Sequence, residues 1–204
     1  MFAWYLKKST LVCTALACLL LSGCGSSLGF VHAPPASYRV PLPDGIQGVW
    51  AREGPDNGER VRVSSLDDGT IRLDFFKTRP SSQPVPEAPL ILQALRFDNT
   101  DWLLIDMRKL SALEDAQYKG QAPYTLIKYA LEDGNRLCGI QLGVSLFAQA
   151  IEAGQLEGKV DVYAKPFMHA TVTSSGEDWV KWWVAQPASE KMFAQPVFCF
   201  QRIN

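Results

Sequence analysis

Few side chains in this sequence are equipped for chemistry, and the cysteines come first. Cys138 and Cys199 lie on segments that alternate like β-strands, while Cys24 closes an N-terminal apolar run. With Cys24 set aside, an even pair of thiols in an oxidising compartment can form a disulfide, provided their Cα atoms come within about 4.4 to 6.8 Å. The other reading is two separately buried thiols. Only two histidines exist, His32 and His169, one in a Pro-rich stretch and one isolated, so neither a histidine-rich metal site nor a His-based triad is built. There is no Gly-x-Ser-x-Gly elbow, no phosphate-binding glycine loop and no Cys-x-x-Cys pair. Asp106 stands in the apolar run Leu103-Leu104-Ile105-Asp106-Met107, where burial would raise its pKa, but a place on the exposed alternate face accounts for it more simply. These residues point away from catalysis, with hydrolysis the least favoured class, and no metal or cofactor is expected.

Cys24 has a different context. Lys7 and Lys8 precede an apolar run from Leu11 to Leu21, followed by small residues, the layout of an export signal. The run is shorter than the roughly 20 apolar residues that a membrane span needs. Leu21-Ser22-Gly23-Cys24 resembles the lipobox of bacterial lipoproteins. That resemblance implies that the Cys24 thiol receives a diacylglyceryl group, that residues 1–23 are removed as a signal peptide, and that the new amino group is acylated. Several acyl chains, each contributing about 0.8 kcal/mol per buried methylene, make desorption negligible. Gly25 rather than Asp after the cysteine implies sorting to the outer membrane, with the domain facing the periplasm. An uncleaved anchor or a plain secretory signal is the alternative.

The elements behind this leader are legible from composition and period. Loss of residues 1–23 removes Lys7 and Lys8 and no acid, taking the formal charge from -1 to -3, so a nucleic-acid partner has no electrostatic support. Residues 24–44 combine Gly25-Ser26-Ser27 with Pro34, Pro35, Pro41 and Pro43. They read as a solvated tether, able to hold the domain up to roughly 60 Å from the bilayer if extended. From Gly45 onward the period is two. Val61 and Val63 alternate with Arg60 and Arg62, and Ile71, Leu73 and Phe75 with Arg72 and Asp74, across the turn Asp67-Asp68-Gly69. Similar runs at 90–97, 102–107, 124–131 and 136–142 extend the meander, with Asp98-Asn99 and Asp133-Gly134 as turns. About seven consecutive strands must hide their edges, and closing into a barrel does so. The loop from Lys77 to Pro89, with four prolines, belongs at a barrel mouth.

The pattern then changes. A helix is predicted over 145–153 with Gly154 as its C-cap, and a second opens at Ser175, whose capping box partner is Asp178, and stops before Pro187. Short strands are expected at 160–163 and 170–173, and the last strand at 197–203. Trp179, Trp182 and Trp183 crowd one face of the second helix. They either cover a barrel end or form an aromatic patch for a membrane or partner.

Gly48-Val49-Trp50 resembles the Gly-x-Trp signature of lipocalin-like barrels, and Arg202 in the final strand is placed like the arginine that packs over that tryptophan. The order of strand meander, helix with Glu152-Ala153-Gly154, Ala170-Thr171-Val172-Thr173, second helix and closing strand is similar to uncharacterised bacterial lipoproteins with a lipocalin-like domain. The resemblance covers roughly residues 45–203 and implies a mainly β fold, a barrel of about eight strands over residues 45–204 with two helical segments before the last strand. It implies no particular activity. Three function classes stand at this stage: a carrier or sensor for a small apolar ligand, with Phe75 and Ile71 facing inward; a structural protein docking on an envelope partner through a strand edge or the tryptophan helix; and a hydrolase.

Overall fold

The computed structural model describes residues 26–54, 58–66, 69–77, 89–109, 122–164, 167–188, 191 and 193–203. The strands before the first helix are β1 (Ser27–Phe30), β2 (Gly48–Arg52), β3 (Glu59–Ser65), β4 (Thr70–Lys77), β5 (Leu90–Phe97), β6 (Thr100–Asp106), β7 (Tyr124–Glu132) and β8 (Arg136–Leu142), with alternation clearest in β3 and β4. Helix α1 (Val144–Glu152) is followed by the hairpin of β9 (Gly158–Ala164) and β10 (Phe167–Val172), then by helix α2 (Gly176–Ala185) and β11 (Phe193–Ile203). Asp98 and Asn99 both adopt positive φ, 55° and 51°, the pair of left-handed residues that a two-residue hairpin needs to follow the strand twist. Of the predicted turn Asp67-Asp68-Gly69, Asp67 and Asp68 lie outside the described residues, and Gly69 has a φ of +77° and donates to the Leu66 carbonyl at 2.9 Å.

Strands β2 to β8 pair antiparallel in chain order, and β11 inserts between β8 and β2. With β6 paired to β7, the result is a closed antiparallel barrel of eight strands, lipocalin-like in its meander and mainly β overall. Closure leaves these eight strands without an edge. Both helices precede the last strand, and both lie outside the barrel together with β1, β9 and β10. Ser175 caps α2 as the capping box requires, its Oγ accepting from the Asp178 N–H at 3.2 Å.

Two cores result, one on each side of the barrel wall. Inward positions such as Trp50, Val61, Ile71, Leu92, Ile105, Ile127 and Phe200 fill the inner one. The outward positions Leu95, Phe97, Trp102, Leu104 and Leu126 belong to a second core with Phe30, Phe147, Trp179, Val180 and Trp183. This explains why Leu90 to Phe97 and Trp102 to Met107 are apolar at nearly every position: their strands are covered on both faces.

Two expectations are corrected here. Residues 26–44 are not a free tether. Ser27 to Phe30 pair in parallel with His169 to Val172, Arg39 bridges to Leu95, and Leu28, Phe30 and Leu42 are buried. Local composition conceals this because the partner of β1 lies some 140 residues away in the chain. The tryptophan helix covers the wall of the barrel rather than its end. Trp179 and Trp183 are each 1% exposed, too buried to meet a membrane or a partner. Trp179 packs on Phe30 with ring centroids 4.4 Å apart, Trp183 stacks on Phe147 at 5.5 Å, and the partly buried Trp182 donates through Nε1 to Gln155 Oε1 at 3.2 Å.

Candidate functional site: an apolar barrel cavity

The cavity is defined first by what closes it. Trp50 on β2 is fully buried and donates from Nε1 to the Ile46 carbonyl at 2.8 Å. Arg202 on β11, opposite Trp50 in register, places its guanidinium carbon 4.5 Å from the indole centroid. Gly48 is required beside them: its φ is +137°, and a Cβ there would stand 3.2 Å from Arg202 Nη1. The Gly-x-Trp signature and the distant arginine are therefore one device that seals an end of the barrel. Leu42 and Ile46, in the segment leading into β2, add to the same inner core.

Above this plug the inward side chains do not meet completely. A cavity of about 90 Å³ lies inside the barrel, walled almost wholly by apolar groups that include Val63, Ile71, Leu73, Phe75, Leu103 and Ile127. Ile71 and Phe75, selected from the sequence, both line it. Trp179, Trp182 and Trp183 do not, being on the other side of the wall. Gly139 on β8 shapes the cavity too, since a Cβ there would overlap the ring of Phe198, which lies directly across on β11.

Polar groups at the cavity are few. Arg52 Nη1 and Glu59 Oε2 form an ion pair of 2.9 Å, with the Glu59 side chain only 8% exposed. Tyr129 is buried, and its hydroxyl has no partner among the described residues. Burial, reinforced by the charge of Asp101, holds its pKa well above the usual tyrosine range, so it stays a neutral hydroxyl. Sequence reasoning missed Arg52, Glu59 and Tyr129. Their inward placement follows from the parity of Trp50, Val61 and Ile127, a signal that was present in the alternation.

The remaining candidates bring no reactive group to the cavity, although Cys138 is part of its wall. Cys138 and Cys199 face each other in register on β8 and β11 and are joined by a disulfide, with Cα atoms 4.2 Å apart. Asp106 is bound by Arg108, whose guanidinium holds the carboxyl below the usual carboxylate range, so it is no poised acid. His169 Nδ1 shares a hydrogen bond of 2.6 Å with Ser27 Oγ, tying β1 to β10, and its Nε2 shares one of 2.9 Å with Thr171 Oγ1 on its own strand. His32 serves through its backbone, accepting from Trp179 Nε1 at 3.2 Å. Among the described residues no group of three His, Cys, Asp or Glu side chains is placed to hold a metal ion. Cys24 lies outside the described residues.

Fold and site together define a small lipocalin-like β-barrel with an internal apolar cavity. No family model, curated protein or solved structure matches the chain.

Proposed function

We propose that this chain is a lipid-anchored envelope lipoprotein, held at the outer membrane by acyl chains on Cys24, whose barrel binds a small apolar ligand. The observation that carries the binding reading is the cavity itself. A barrel of eight strands can be filled completely by its own side chains, and this one leaves an apolar space of about 90 Å³ among branched and aromatic groups. Empty apolar space of this size stays dry and costs stability, so an apolar guest gains by filling it. At this volume the guest is a compact apolar molecule, or one hydrocarbon segment of a larger one.

The alternative, docking on an envelope protein without chemistry, loses its tryptophan surface because Trp179 and Trp183 are buried. It retains only β9, which ends the sheet order as an edge strand.

Native mass spectrometry of the lipidated protein, extracted gently from membranes, tests the binding reading: a bound apolar molecule of defined mass is expected, and a protein that carries none and takes up no apolar probe refutes it. Cys24→Ala tests the anchor. Metabolic labelling with an alkyne fatty acid is expected to disappear in that variant, and unchanged labelling removes the lipoprotein claim.

A further inference from the structure

The described fold reaches back to Ser26, two residues after Cys24. Ser26 Oγ accepts from the Met168 backbone N–H at 3.3 Å, and Ser27 pairs with His169. Cys24 precedes Ser26 by two residues, and a chain spans at most about 3.6 Å per residue, so the Cys24 Cα lies within roughly 7 Å of the Ser26 Cα.

Beside that point the sheet carries an uncovered apolar position. Val162 on β9 stands directly across from Met168 and is 57% exposed, the most open of the large hydrophobic residues described. Its face of the β9–β10 hairpin is the one that buries Ala170 and Val172 in the outer core, and at Val162 this face runs past the edge of that core. The opposite face of β9 carries the Lys159–Asp161 ion pair of 2.6 Å. From Lys159 to Val162, β9 is therefore apolar on one face and charged on the other. Adjacent strands are about 4.8 Å apart, so β9 lies roughly 10 Å from β1 across β10.

Resting on the lipoprotein reading above, we infer that the domain is seated directly on the bilayer surface, with β9 around Val162 as its contact. The occupant of this surface is lipid, for two reasons. The acyl chains on Cys24 would enter the bilayer close to the hairpin, and they supply the affinity without any shape complementarity from the protein. A specific protein interface needs about 800 Å² per partner, which one exposed valine on β9 does not provide.

The test uses the full-length lipidated protein in vesicles of phosphatidylethanolamine and phosphatidylglycerol. Intact mass comes first: a Cys24 without acyl groups overturns the anchor and the seat together. On the acylated protein, neutron reflectometry of the wild-type chain at a supported bilayer of the same lipids is expected to show protein density contiguous with the headgroups. A hydrated gap between the headgroups and the protein overturns the seat and leaves the anchor standing. A maleimide fluorophore on Val162→Cys is expected to be quenched by brominated lipid, and the same label on Lys109→Cys is not. Lys109 follows the Asp106 end of β6, which pairs with Tyr124, and β1 runs antiparallel to β7 with Phe30 opposite Tyr124, so the Ser27 end of β1 points away from Lys109. Equal quenching at both positions, or quenching at neither, overturns the assignment of this contact, and protection of the 162 label only when another envelope protein is added overturns it in favour of a protein partner.

Discussion

Filling the barrel cavity separates the binding reading from a purely structural one. Leu73 is suited to the experiment because it faces inward on β4, lines the cavity and is only partly buried, so free space adjoins its side chain. Leu73→Trp puts a larger apolar group into that space. The empty volume of about 90 Å³, at roughly 24 cal/mol per Å³, corresponds to about 2 kcal/mol of lost packing that a well-placed ring recovers. Overpacking opposes this by about 1 to 3 kcal/mol, so the two effects nearly cancel and the variant stays folded with a urea midpoint close to that of the wild type. Binding does not cancel in the same way. A guest that needs the occupied space loses its site, and the affinity for a fluorescent apolar probe is expected to fall at least tenfold, which corresponds to about 1.4 kcal/mol. The assay is a titration of probe fluorescence at fixed protein, alongside urea unfolding followed by near-ultraviolet circular dichroism. A variant that is as stable as the wild type and binds the probe equally well would falsify the assignment, because the probe would then be bound outside the barrel.

Other perturbations have definite expected outcomes. Trp50→Ala removes a fully buried indole, its hydrogen bond to Ile46 and its contact with Arg202, and a loss of about 3 to 5 kcal/mol is expected from urea unfolding; an unchanged midpoint would show that Trp50 does not hold the barrel end. Replacing both Cys138 and Cys199 by Ala opens a cross-link spanning 61 residues, for which the chain-entropy model gives about 4 kcal/mol, and coincident unfolding curves for wild type and variant would contradict that model here. Burial holds the His169 pKa below its ordinary 6.5, so the unfolded chain takes up the proton first. Stability is therefore expected to fall as the pH drops through about 6.5 and to level off below the folded-state pKa, and the slope should flatten in His169→Asn; an identical slope in the variant would assign the pH dependence elsewhere.

The sequence by itself determined the local elements. Alternation at Val61 and Val63 and at Ile71 to Phe75 specifies strands, Asp98-Asn99 specifies a tight turn, and Ser175 with Asp178 specifies the start of a helix, because each depends on neighbours a few residues away. The pairing of Trp50 with Arg202 was legible through a resemblance, and its reason lies in the backbone of Gly48 and the room it leaves for the guanidinium. Tertiary structure alone decided the rest. Ser27 to Phe30 became a strand because β10 offers it a parallel edge, so a segment rich in Gly, Ser and Pro is packed rather than extended into water. The same amphipathic tryptophan face would suit a barrel end, a membrane or a wall, and only the apolar outward face of β5 and β6 fixed it on the wall. The cavity was least legible of all. Whether inward side chains from eight strands meet or leave a space depends on the sum of their volumes at one level of the barrel, and that sum draws on residues from Leu42 to Phe200 that no local pattern brings together.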